Sequence, residues 1–237
     1  MNFLSEYLFL FDIDGTLLDA RGDGRRAIVT SLKEVLGVDE GKPLDLKGGV
    51  DRLIFNQYFA QTGHPSENSE VLWERFCETY LAKIQSYPKE NWILFPHAID
   101  AVRYLFDYSN IGIATGNIKS GADIKLKAFG LSEYFDCGGY GDSAPNRSSL
   151  VAEAIMRAEE HHKRAFRRDK IIMLGDTEKD VSAAHDNEII PVLIDHKGEN
   201  RENAQKWNAH YHGTFAAIEQ LVRHLSSGTR PKSVVYF

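Results

Sequence analysis

The sequence predicts an α/β protein: a doubly wound parallel sheet with a helical domain inserted after its first strand. Three observations predict it. From Pro96 onward, short unbroken apolar runs alternate with amphipathic segments of helical period, the pattern of a parallel sheet covered by helices on both faces. Three of the apolar runs along the chain stop abruptly in small polar clusters. Between about residues 20 and 92, helical periodicities follow one another with no clear strand.

The elements follow in order. Residues 7–11, YLFLF, are aromatic or aliphatic without a break and read as a strand buried on both faces. The run ends at Asp12-Ile13-Asp14-Gly15-Thr16. Ile28, Leu32, Val35 and Leu36 recur at helical spacing before a stop at Gly37. Leu53, Ile54 and Tyr58, with a stop at Gly63, predict a second helix. Val71, Leu72, Phe76, Tyr80, Leu81 and Ile84 predict a third. Gly48-Gly49 marks a tight loop between two of these helices, the first and the second. The expected division is therefore a core of residues 1–19 and 93–237, with residues 20–92 as the helical insert.

Past Pro96 the chain predicts a helix over 98–106 and a buried strand over 111–114 that ends at Thr115-Gly116-Asn117. A helix over 122–129 closes at Gly130, and 134–138 reads as a weak strand. A helix over 148–160 precedes a strand over 171–174, which stops at Gly175-Asp176-Thr177-Glu178-Lys179-Asp180. Then come a helix over 181–187, a strand over 189–194, a short strand near Tyr211 and a helix over 215–225. The tail, 226–237, carries no periodicity.

Composition narrows the function. The 237 residues are 43% hydrophobic, enough for a core, and no apolar run approaches the roughly 18 residues of a membrane span. A net charge of −6 argues against nucleic acid as a partner. The densest basic run, His161 to Arg168, reads as a solvated helix end. MNFLSEY has no secretion-signal pattern, and Cys77 and Cys137 lie far apart, so a reducing, cytoplasmic setting is expected. Oligomeric state is not fixed by the sequence.

In a doubly wound sheet the parallel strands end on one edge, and ligands bind outside those carboxyl ends. The clusters Asp12/Asp14, Thr115/Asn117 and Asp176/Asp180 are therefore expected to converge. Carboxylates gathered this closely repel unless a cation neutralises them. Hard oxygen ligands without His or Cys favour Mg²⁺, usually held by one or two carboxylates and a phosphate. A free carboxylate beside Mg²⁺ suggests phosphoryl transfer through an aspartyl-phosphate. A neighbouring carboxyl would protonate the leaving oxygen and later deprotonate water.

FDIDGTLL over 11–18 resembles the first motif of the haloacid dehalogenase superfamily of phosphohydrolases. Thr115-Gly116-Asn117 is similar to its second motif, and Gly175 to Asp180 to its fourth. The insert resembles the family's helical cap of the first type, and the resemblance spans about residues 7–225. It implies a Rossmann-like core, Asp12 as nucleophile and Asp14 as general acid/base. It implies Mg²⁺ held by the Asp12 carboxylate, the Asp14 main-chain carbonyl and Asp176, with Asp180 behind them or as an alternative ligand. Thr115 would bond a phosphate oxygen, with Gly116, Asn117 and backbone amides nearby. The second aspartate favours a phosphatase over the metal-free dehalogenases.

The third motif usually offers a lysine; here the best positional match is Arg147, a planar fork in place of a point charge. Substrate choice is expected on cap loops. Gly48, Gly49 and Arg52, with Lys47, are the first candidates, and Arg21, Arg25 and Arg26 also follow the first motif. The expected substrate is a small phosphorylated metabolite, in the manner of the phosphoglycolate-phosphatase-like members. A phosphotransferase or phosphomutase of the same superfamily, or a non-catalytic binding module, are the alternatives.

Overall fold

The computed structural model describes residues 3–38, 48–142, 144–226, 231 and 233–237. Its strands are β1 (Leu8–Phe11), β2 (Leu18–Asp19), β3 (Ile93–Leu94), β4 (Asn110–Ala114), β5 (Gly138–Gly139), β6 (Ile171–Gly175), β7 (Ile190–Ile194), β8 (Tyr211–Gly213) and β9 (Val235–Tyr236). Its α-helices are α1 (Asp23–Leu36), α2 (Asp51–Phe59), α3 (Ser69–Ser86), α4 (Ala98–Tyr108), α5 (Lys119–Lys127), α6 (Arg147–His162), α7 (Glu178–Asp186), α8 (Arg201–Lys206) and α9 (Ile218–Ser226).

Seven strands form one parallel sheet in the order β5-β4-β1-β6-β7-β8-β9. From β1 the chain builds outward to β4 and β5, then returns to the other side for β6 onward. The reversal lies at β1, and a crevice opens outside the strand ends at such a point. Phe11 stands beside Ile113 of β4 and Leu174 of β6. The residues that follow these three strands therefore leave the sheet at one level.

Burial on both faces explains the unbroken apolar run. Phe9 and Phe11 enter one core cluster, with Ile172 and Leu174 of β6. Leu8 and Leu10 enter another, with Ile171 and Met173. Successive side chains of a strand point to opposite faces, so a strand covered on both sides needs apolar residues at every position.

The segment from α1 to α3 leaves and rejoins the sheet domain through β2 and β3, an antiparallel pair with Leu18 opposite Leu94. Its core is aromatic: Phe55 meets Trp73 at 5.2 Å, Trp73 meets Phe76 at 5.5 Å, and Tyr80 continues the row. As predicted, α1 ends at Gly37, which takes the left-handed conformation (φ 66°) and bonds back to Lys33 O.

Several boundaries differ from the prediction. The weak strand expected over 134–138 is a 3₁₀ turn, Ser132–Tyr134, followed by the two-residue β5. Phe135 turns inward onto Phe11 instead, 5.6 Å between ring centres. Helices α5 and α7 begin three residues earlier than their apolar period, because their first turns are polar. In α7 the Thr177 side chain accepts from Asp180 N while Asp180 accepts from Thr177 N, a capping box. Helix α8 and strand β9 were not predicted; six and two residues are too few to display a period. Among the described residues no helix is long and apolar enough to cross a membrane.

Candidate active site

Asp12 is the first residue beyond β1, and its N–H donates to Leu174 O at 2.9 Å, fixing it against β6. Asp176 lies in the turn after β6, and Asp180 in the first turn of α7. One carboxylate oxygen from each of Asp12, Asp176 and Asp180 lies within 4.8 Å of the others. Asp12 and Asp180 are buried and Asp176 is half-buried. The group is all hard oxygen and all anionic, and its spacing lets one cation touch several members at once, which fits Mg²⁺.

Arg147, the first residue of α6, reaches this group. Its N-cap, Asn146, accepts from Ser149 N at 2.8 Å and sets the helix start. Arg147 Nη2 lies 3.0 Å from Asp12 Oδ1, 2.5 Å from Asp180 Oδ1 and 3.0 Å from Ala114 O. Its Nε is buried with no hydrogen-bond partner among the described residues. A single nitrogen of the planar guanidinium, Nη2, thus lies close to all three oxygens. Burial works against its charge, but Asp12 and Asp180 more than offset that and hold it above the ordinary arginine value. Burial also pushes the Asp12 carboxyl up; Arg147 pulls it back, Asp180 raises it again, and it stands at about 6.

Asp14 does not join the acidic group. Its Oδ2 accepts from Asn117 Nδ2 at 2.8 Å and from Lys125 Nζ at 2.5 Å. Asn117 also donates to Thr115 Oγ1 at 2.8 Å, and its Oδ1 accepts from Lys125 at 2.6 Å. Two cations are therefore divided among three aspartates, Arg147 on Asp12 and Asp180 and Lys125 on Asp14. Sequence reasoning missed Lys125. The available signal was its place on the buried stripe of α5 with Gly121, Ala122 and Leu126, where a lysine is out of pattern. Burial opposes its charge, but neighbouring Asp14 holds it above the ordinary lysine value.

A cavity of about 300 Å³ opens between these strand ends and the helical segment. Asp12, Asp14, Thr115, Gly116, Asn117 and Arg147 line it from the sheet, and Gly48, Gly49 and Arg25 from the other side. The two sides are tied together. Asp51 N donates to Gly116 O at 2.8 Å, Arg52 N to Gly141 O at 3.0 Å, and Ile118 N to Asp51 Oδ2 at 2.9 Å. Burial pushes Asp51 up to about 7, against the opposing pull of the Ile118 N–H and Lys125. Gly116 allows the approach: a Cβ there would stand 1.7 Å from Gly49 O.

Arg52, expected at the substrate, is turned away. Its guanidinium pairs with Glu70 and lies over the Trp73 ring at 4.7 Å, a partner set that the helical segment supplies and that linear spacing does not reveal. Arg26 pairs with Asp23 at 2.5 Å and Arg21 with Asp19 at 3.8 Å. Lys47 lies outside the described residues.

A family model for haloacid dehalogenase-like hydrolases matches residues 9–194. A phosphoglycolate phosphatase from Aquifex aeolicus is 25% identical over 189 residues, 74% of this chain and 78% of that protein. One from Cereibacter sphaeroides is 27% identical over 221 residues, 90% of this chain and 94% of that protein. Among solved structures, a haloacid dehalogenase-like family hydrolase from Streptococcus pneumoniae superposes with a TM-score of 0.60 at 22% identity, covering 92% of this chain and 98% of that one.

Proposed function

This chain belongs to the haloacid dehalogenase-like hydrolases, and from that premise we propose a Mg²⁺-dependent phosphatase that cleaves a small phosphorylated metabolite, a phosphoglycolate-like monoester, through an aspartyl-phosphate on Asp12. The observation that carries the reading is the buried Asp12 carboxylate, held by one cation and flanked by Asp176 and Asp180, at the floor of a small cavity.

Arg147 engages Asp12 Oδ1, which leaves Oδ2 to attack phosphorus as the bond to the leaving oxygen breaks. Asp14 gives that oxygen a proton. It then takes one from the water that attacks the aspartyl-phosphate, releasing phosphate and restoring Asp12. Thr115 and the amides of Gly116 and Asn117 supply donors for phosphoryl oxygens. Mg²⁺, held by Asp12, Asp176 and the Asp14 main-chain carbonyl with Asp180 beside them, would neutralise charge on those oxygens.

Residues 20–92 act as the cap and residues 1–19 and 93–237 as the core, the cap excluding water from the reaction. A cavity of about 300 Å³ is at the small end of ordinary ligand pockets and suits a short ester. The two free cysteines accord with a cytoplasmic setting.

The test is phosphate release from 2-phosphoglycolate and p-nitrophenyl phosphate, with Mg²⁺ or with EDTA. Turnover is expected only with Mg²⁺, and Asp12→Asn should lower kcat by about a thousandfold or more. A wild-type protein inert toward both esters, or an Asp12→Asn variant as active as wild type, refutes the proposal.

A further inference from the structure

Lys125 is 2% exposed, yet it lines the cavity. A buried lysine is costly unless its charge is paired, and here Asp14 pairs it. Orienting Asp14 does not need it, since Asn117 already donates to the same Oδ2. What Lys125 adds is positive charge. An ammonium has three N–H groups, and among the described residues its bonds go to Asp14 and Asn117, leaving one donor. Gly24, also on the cavity wall, lets α1 pass close to the ammonium: a Cβ at position 24 would stand 3.1 Å from Nζ.

We propose that Lys125 is a specificity-determining residue that binds a carboxylate on the leaving portion of the substrate. This rests on the phosphatase reading above, in which Asp14 faces the leaving oxygen. A cation bonded to Asp14 then sits on the leaving-group side, while Arg147 serves the phosphoryl side. The small cavity keeps the carboxylate within a few atoms of the ester oxygen.

The experiment compares kcat/KM for 2-phosphoglycolate with that for 2-hydroxyethyl phosphate, which has a neutral hydroxymethyl in place of the carboxylate. Wild type should favour the carboxylate by roughly thirtyfold or more, the size of effect expected when a buried charged partner is removed. In Lys125→Met the ratio should fall close to one, with Lys125→Arg intermediate. Both esters need Asp14, so any damage to Asp14 cancels in the ratio. Gly24→Ala crowds the ammonium from the cavity wall without removing its charge, and should also lower the ratio; it carries the test if Lys125→Met does not fold. A wild-type ratio near one, or a ratio unchanged in these variants, overturns the assignment of Lys125 alone. Failure of wild type on both esters and on p-nitrophenyl phosphate overturns the phosphatase reading and this inference with it.

Discussion

Replacing Arg147 with methionine removes the cation that one nitrogen shares among Asp12 Oδ1, Asp180 Oδ1 and Ala114 O. Two buried carboxylates then lose their counter-charge, and breaking a buried pair this way costs about 3–5 kcal/mol. For a chain of this size that is a fall in Tm of about 6–20 °C. The carboxylates can escape the penalty by binding protons. Burial has already lifted Asp12 to about 6 with the arginine present, and its removal lifts it further. A folded-state acid raised in this way keeps its stability at low pH and loses it as pH rises. The Tm gap between wild type and Arg147→Met should therefore be large at pH 8 in EDTA and small at pH 5. Mg²⁺ at a hundred times its Kd should return about 2.7 kcal/mol. Arg147→Lys offers three N–H groups for three oxygens, and should keep most of the stability and activity within about tenfold. Thermal denaturation at the two pH values, with and without Mg²⁺, is the assay. If Arg147→Met melts with wild type at pH 8 in EDTA, or the gap is equal at both pH values, the electrostatic account of this site is wrong.

Three further outcomes are expected. Asp51 stands at about 7 in the folded protein; the unfolded chain releases that proton near 4, so its contribution to stability is full below about 4 and lost as pH rises through 7. Asp51→Asn removes this dependence, and wild-type stability relative to the variant should drop by up to about 4 kcal/mol between pH 4 and 7.5 in chemical denaturation; parallel curves would count against it. Gly116→Ala puts a Cβ where Gly49 O stands and should cost about 1–3 kcal/mol with a raised KM; unchanged stability and KM would mean that the two loops do not approach as described. Asp176→Asn takes one charge from the acidic group, so the rise in Tm that Mg²⁺ gives wild type should shrink markedly in the variant, and an equal rise in both would remove Asp176 from the metal site.

The sheet was legible because its strands are buried on both faces, and a doubly buried strand must be apolar at every position, as YLFLF is. The strand-end clusters were legible because all parallel strands finish on one edge. Less was legible where an element is short or begins with a cap. Strand β9 has two residues, and the first turns of α5 and α7 are polar. Arg52 looked available because its partners Glu70 and Trp73 lie a helix away.

The sequence by itself determined the fold class, the order of the long helices and the buried strands β1, β4, β6 and β7, and the aspartates at the ends of β1 and β6, since each of these follows from local pattern and from the single rule that parallel strands share an edge. Only the tertiary structure decided how charge is divided within the site. Arg147 presents one nitrogen to Asp12, Lys125 is taken up by Asp14, and Asp51 latches the helical segment to the loop after β4. Which charges become neighbours depends on packing between segments far apart in the chain, and linear spacing carries no record of it.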